Sequence, residues 1–177
     1  MRWSRGLAVL FGVWASASCG GLRAGDAADD TVVILVRHAE KVAGEDPALD
    51  EVGRARARAL AHALSEWPGE AIYVSQFRRT RETAGPLADA WGVEPEVIDA
   101  RDVGGLATRI REGAASRVVV IGHSNTVPAL VGALGAAEPD QIADEVYDDL
   151  FVVTLARDGG PARSVHLKYG APAPAPR

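Results

Sequence analysis

This chain of 177 residues is poor in the features that announce several protein classes. It holds one cysteine, Cys19, so no disulfide framework can form within it, and a chain with no other thiol suits an oxidising compartment. Basic charge is not in excess. Acidic residues outnumber Lys and Arg by 24 to 19, giving a net charge of −5, which leaves no reason to expect a nucleic-acid partner or an adhesive basic face. No apolar run is long enough to span a bilayer, and no internal repeat is visible. What remains is an ordinary globular composition, 47% hydrophobic and 24% charged, at a length that suits one domain with a sizeable core and extra residues at the ends.

The ends read differently from the middle. Met1 to Arg5 is a short basic segment, and Gly6 to Ala15 is apolar but too short to cross a membrane. Small residues Ser16, Ala17 and Ser18 then precede Cys19. This pattern resembles the bacterial lipoprotein signal, in which the cysteine is lipidated and becomes the mature N-terminus; an ordinary secretory signal cut before Asp26 is the alternative. Either reading exports the protein to the periplasm or cell envelope of a bacterium; the first gives it membrane contact, only through a lipid anchor on Cys19, and the second discards Cys19. Residues 1–25 are thus read as signal and tether, 26–170 as the folded domain, and 171–177 as an extended Pro/Ala tail.

Within the domain, two apolar runs end in the same residue type. Val32-Val33-Ile34-Leu35-Val36 leads into Arg37-His38-Ala39-Glu40, and Val118-Val119-Val120-Ile121 leads through Gly122 into His123-Ser124-Asn125. Short β-branched runs of this kind read as fully buried parallel strands. Open α/β sheets bind ligands beyond the carboxyl ends of their strands, so both histidines fall where one pocket can form. Further short runs at Ala71–Val74 and Glu96–Ile98 alternate with helical stretches. These stretches are Asp50 to Trp67, Arg78 to Trp91 with a kink or break expected at Pro86, Leu106 to Glu112, and Val127 to Leu134. Leu150–Ala156 and Ser164–Tyr169, separated by Asp158-Gly159-Gly160, read as a closing hairpin. The alternation implies an α/β fold, a three-layer α/β/α sandwich around a mostly parallel central sheet.

The strand ends carry Arg37 and His38, Ser75 followed by Arg78-Arg79-Thr80-Arg81, and His123. Histidines set among arginines make a poor metal site, because arginine is permanently charged and no carboxylate stands at ligand spacing. The same set suits a tetrahedral dianion: guanidinium forks match phosphate oxygens, and the start of the helix after Ser75 adds a positive field. In such a pocket a neutral imidazole can attack phosphorus.

These motifs, in this order, resemble the histidine phosphatase superfamily, the phosphoglycerate-mutase-like fold. The resemblance rests on Arg37-His38-Ala39-Glu40, on Ser75 with Arg79 and Thr83-Ala84, on Gly122-His123, and on the helix lead-in Leu49, Gly53, Ala57. It covers about residues 31 to 170. It implies a metal-independent phosphomonoesterase, a phosphoric monoester hydrolase with no cofactor. His38 is the implied nucleophile, Arg37 and Arg79 the phosphate ligands, and His123 a further phosphate ligand and transition-state donor, protonated or donating one N–H. The general acid is open. Asp102 or Asp99 occupies the compressed segment where relatives carry a longer insertion, and either also suits helix capping; Asp148 and Asp149 are further candidates. Glu40 either assists near the nucleophile or braces the pocket arginines, and Ser124 and Asn125 either line the pocket or cap the following helix. Arg78 and Arg81 read as surface residues, Arg54, Arg56 and Arg58 as solvated helix arginines, and His62 and His166 carry no role. The short insertion argues for hydrolysis over mutase chemistry, on a phosphorylated small molecule, an envelope sugar or a phosphoprotein. The alternative from another class is a catalytically silent phosphate- or ligand-binding lipoprotein on the same fold.

Overall fold

The structure is a computed structural model that describes residues 30–172. Cys19 and the signal, the tether before Asp30 and the tail from 173 lie outside the described residues. The elements run β1 (Thr31–Arg37), α1 (Glu51–Ala63), β2 (Ala71–Ser75), α2 (Arg78–Trp91), β3 (Glu96–Ile98), α3 (Val103–Glu112), β4 (Arg117–Gly122), α4 (Thr126–Ala133), β5 (Asp149–Leu155) and β6 (Arg163–Lys168). The sheet order is β3-β2-β4-β1-β5-β6. The first four strands in that order are parallel, and β5 and β6 add an antiparallel hairpin at one side.

Strand pleating divides the apolar residues between two layers of helices. Val33, Leu35, Val118 and Val120 face Leu106 and Ile110 of α3 and Leu130 of α4. Ile34, Val36, Val119 and Ile121 face Leu60 of α1 and Ala84 and Leu87 of α2. Burial on both faces is what continuous Val/Ile runs in β1 and β4 require, so the three-layer arrangement follows from their composition.

Three local expectations are corrected. Helix α1 stops at Ala63 rather than Trp67: Ser65 Oγ donates back to the His62 carbonyl at 2.9 Å, and the chain turns so that Trp67 meets Trp91 with ring centroids 5.9 Å apart. Gly69 lies under that contact, where a Cβ would overlap the Trp91 ring. Helix α2 runs through Pro86 without a break, held by the buried Ala84 and Leu87, and ends on Gly92 at φ 66°. Helix α3 begins at Val103, a turn before Leu106, because the Asp102 carboxylate caps it by accepting the Gly105 N–H at 2.9 Å.

Candidate active site

Register brings the two histidines together. Arg37 of β1 pairs with Gly122 of β4, and the His38 N–H donates to the Gly122 carbonyl at 2.9 Å, so His38 and His123 leave adjacent strands side by side. Their rings meet edge to face with centroids 5.3 Å apart. His38 is 3% exposed and bonds through Nδ1 to the Ala39 carbonyl at 2.8 Å. A carbonyl only accepts, so Nδ1 carries the proton and Nε2 keeps its lone pair. Burial lowers the His38 pKa to about 3; the Ala39 hydrogen bond opposes this, and the nearby His123, Arg37 and Arg79 add to it. The ring is neutral at physiological pH.

His123 is neutral as well. Burial foremost, then Arg79 and Arg37, lower its pKa to about 4. Arg79 Nη2 lies 3.4 Å from Nδ1 and can only donate, which makes Nδ1 the acceptor and places the ring proton on Nε2. That N–H donates to Ser75 Oγ at 2.9 Å, and Ser75 Oγ in turn bonds Thr80 Oγ1 at 2.9 Å. Of the two states expected for His123, the structure gives the neutral donor of one N–H.

Arg37 and Arg79 supply the positive frame. Arg37 Nη1 donates to the carbonyls of Ala143, Asp144 and Val146 at 2.8–3.0 Å, and its guanidinium lies 4.1 Å from the Tyr147 ring centroid. Arg79, in the first turn of α2, stacks on Phe77 at 4.3 Å. Among the described residues, four buried side-chain polar atoms have no hydrogen-bond partner, and two of them are the Nε atoms of Arg37 and Arg79. Buried donors without partners are costly, and here they flank the two histidines. An incoming oxyanion is the chemistry that relieves them.

Thr83 couples the two halves of the site. Its Oγ1 accepts the Ala39 N–H at 3.0 Å and donates to the Arg79 carbonyl at 2.8 Å, tying the backbone that fixes His38 to the turn that carries Arg79. A cleft of about 330 Å³ opens over the histidines, lined by His38, Lys41, Phe77, Arg79, Ala100, Arg101, His123, Ser124, Asn125 and Thr126. Ser124 and Asn125 therefore line it. Asn125 stands at the N-cap position of α4 but makes no side-chain cap bond; Thr126 Oγ1 accepts the His123 N–H instead.

Asp102 caps α3, and Asp99 accepts the Arg101 N–H at 2.8 Å; neither lines this cleft, though both line a small adjoining pocket with Ser75 and His123. Asp46, which the sequence reading passed over, lies 4.0 Å from Arg79 Nη1 and accepts the Arg78 N–H at 2.9 Å. Asp148 and Asp149 are buried and held by Lys168, with His166 bonded to Asp149 at 2.6 Å. Glu40 turns away from the pocket arginines. It grips Arg56 through both oxygens at 2.7–3.0 Å, and Arg56 also donates to the carbonyls of Tyr169 and Ala171. Arg56 is 4% exposed, so its reading as a solvated helix arginine is corrected: it is a buried clamp between the loop after β1 and the end of β6. Arg78 and Arg81 are exposed as expected, Arg78 pairing with Glu82. Sequence reasoning missed Lys41, Arg101 and Tyr147. Tyr147 gives no periodic or spacing signal, and its ring, 6.0 Å from that of His38, arrives from a loop remote in sequence. No group of three or more His, Cys, Asp and Glu side chains that could hold a metal ion occurs among the described residues.

Two neutral buried histidines and two arginines with unpartnered Nε atoms thus stand at the carboxyl ends of parallel strands in an α/β protein, an arrangement that suits an oxyanion. Residues 33–101 match the histidine phosphatase superfamily (branch 1). The fold resembles that of the protein histidine phosphatase SixA complexed with tungstate, with a TM-score of 0.63 and 22% identity over 78% of this chain and 96% of that one. It also resembles mycobacterial glucosyl-3-phosphoglycerate phosphatase complexed with VO3, with a TM-score of 0.60 and 16% identity over 77% of this chain and 97% of that one. The family match thus falls on the stretch that holds His38 and Arg79, and the likeness in fold extends over more than three quarters of the chain. A PE-PGRS family protein, PE_PGRS11 of Mycobacterium tuberculosis (strain ATCC 25618 / H37Rv), is 42% identical over 53 residues, which are 29% of this chain and 9% of that protein. The matched stretch thus spans less than a tenth of that relative.

Proposed function

We propose that this protein is a phosphomonoesterase that works through a phosphohistidine on His38. One observation carries the reading: an imidazole whose proton is fixed on Nδ1 by the Ala39 carbonyl, leaving Nε2 unprotonated beside two arginines with unsatisfied buried N–H groups. Nε2 attacks phosphorus, the bond from phosphorus to the ester oxygen breaks, and the leaving oxygen departs as alkoxide or phenolate to be protonated by solvent. Water then attacks the phosphohistidine, the N–P bond breaks, inorganic phosphate leaves and the neutral His38 returns. Arg37 and Arg79 hold charge that spreads over the equatorial oxygens, with His123 seating Arg79 through Nδ1 while its one N–H goes to Ser75; such charge stabilisation is the main protein contribution to phosphoryl transfer. Solved relatives complexed with tungstate and VO3, both oxyanions, support the same ligand chemistry for this cleft.

No carboxylate lines the cleft, so the reaction favours leaving groups that need no proton, aryl phosphates and phosphoramidates over alkyl phosphates. Aryl phosphate small molecules and proteins phosphorylated on tyrosine or histidine fall within that class, and sugar phosphates esterified through an alkyl hydroxyl fall outside it. The decisive experiment is turnover of 4-nitrophenyl phosphate by residues 26–177 with EDTA present, beside His38→Ala. Activity that survives EDTA and is lost by at least about a thousandfold in the variant supports the mechanism. Full activity in the variant, or none in a folded parent between pH 4 and 8, overturns it. Export and lipidation at Cys19 belong to the proposal too, carried by residues 1–19 alone; Cys19→Ser should release the protein from the membrane fraction, and unchanged retention would refute the anchor.

A further inference from the structure

The cleft carries more positive charge than one phosphate requires. Besides Arg79, which has Asp46 at 4.0 Å, it is lined by Lys41 and Arg101, and no Asp or Glu is among its lining residues, in a chain where acids outnumber bases by 24 to 19. Among the described residues, neither the Lys41 nor the Arg101 side chain makes a hydrogen bond or an ion pair. The two cations come from different segments, each fixed by its own backbone. Lys41 sits in the turn after β1, where Lys41 bridges Leu49 and the Val42 N–H donates to the Ala48 carbonyl at 3.1 Å. Arg101 sits in the loop before α3, pinned by Gln76 Oε1 accepting the Ala100 N–H and by Asp99 accepting the Arg101 N–H. Two segments that share no hydrogen bond each present an unneutralised cation at one opening.

Resting on the phosphatase reading of this cleft, we propose that Lys41 and Arg101 form a second anion subsite, and that the substrate is a small phosphomonoester bearing a second negative group on its leaving-group side. Arg37, Arg79 and His38 hold the transferable phosphoryl group; Lys41 and Arg101 hold a carboxylate or second phosphate a few bonds away. A cleft of about 330 Å³ is at the size of a small-molecule site. The cations act on the part of the substrate that leaves, so they set selectivity between esters that share the same reacting phosphorus.

The test compares phenyl phosphate with 3- and 4-carboxyphenyl phosphate, which share the aryl ester and differ by one carboxylate. The quantity read is the ratio of kcat/KM, carboxylated over plain, in the parent and in Lys41→Ala/Arg101→Ala. The expected ratio is about tenfold for at least one isomer in the parent, falling towards one in the double variant and shrinking with added salt. A ratio near one for both isomers in the parent, or a ratio retained in the double variant, overturns the proposal. Calorimetric dissociation constants of both esters for His38→Ala give the same ratio without turnover. If the folded parent turns over no aryl phosphate at all, the phosphatase reading fails, and the binding ratio still decides whether the second subsite exists.

Discussion

Ser75 shows how much of this site lies in residues that never touch the reacting atoms. Its hydroxyl receives the proton of His123 Nε2 and passes its own towards Thr80, so it selects the tautomer in which Nδ1 accepts from Arg79. Ser75→Ala frees the ring to adopt the other tautomer or to turn. The expected loss is about ten- to a hundredfold in kcat with KM little changed, and Ser75→Thr should recover most of it. An equal fall in Ser75→Thr would show that the strand end, and not the hydroxyl, is what matters. Arg56 is a second case. Its side chain is 2% exposed against Glu40, and removing one partner of such a pair strands the other. Arg56→Met should cost about 2–4 kcal/mol by urea denaturation, and Glu40→Leu/Arg56→Met should cost less than Arg56→Met alone. A double variant worse than the single would make the ion pair a net source of stability.

At the scale of elements, the helix lead-in read from the sequence acquires a physical cause. Leu49 and Ala57 are buried, and between them Gly53 lies so close to the loop after β1 that a Cβ would overlap the Glu40 carbonyl oxygen. The loop two residues past His38 therefore rests directly on α1 backbone. Gly53→Ala should destabilise by about 1–3 kcal/mol and lower kcat together, because the backbone that must give way carries His38. Gly85→Ala in α2 is the contrast. A Cβ there meets nothing within 4 Å, so the substitution should stabilise by about 0.5–1 kcal/mol and leave kcat unchanged. Equal effects at the two glycines would remove the argument. The same scale shows what the sequence made legible. Both strands that lead into the histidines were readable because burial on two faces leaves an unbroken apolar signature, and the closing hairpin, whose β6 is exposed throughout, because Asp158-Gly159-Gly160 marks its turn. The end of α1 and the start of α3 were not, because single side-chain bonds from Ser65 and Asp102 decide them. Arg56 was unreadable for a different reason: a helix arginine looks solvated until the strand end that receives it, residues 169–171, is brought across the fold.

Over the whole molecule, two neutral buried histidines make stability depend on pH in a defined direction. In the unfolded chain their pKa is near 6.5, and in the folded protein burial lowers it to about 3 for His38 and about 4 for His123. Between those values the unfolded state binds more protons than the native state, so stability rises with pH through that window. The contribution is full above about pH 6.5 and is lost as pH falls towards 4 and then 3. The carboxylates with lowered pKa, Glu70 and Glu82, act only below their ordinary value of 4.5, and Lys168 only above its ordinary 10.5, so the histidines govern the interval from 6.5 to 4.5. Between pH 6.5 and 5 the loss is at most about 2 kcal/mol for each ring before solvent screening reduces it. Thermal unfolding of residues 26–177 should therefore show a Tm that declines from pH 7 to pH 5. In His38→Gln/His123→Gln the decline over the same interval should flatten, since neither side chain takes up a proton. Carbon NMR of the free protein supplies the independent check: both imidazoles should keep neutral-ring shifts down to about pH 5, and a titration of either near 6.5 would contradict the buried, neutral nucleophile on which the phosphohistidine mechanism depends.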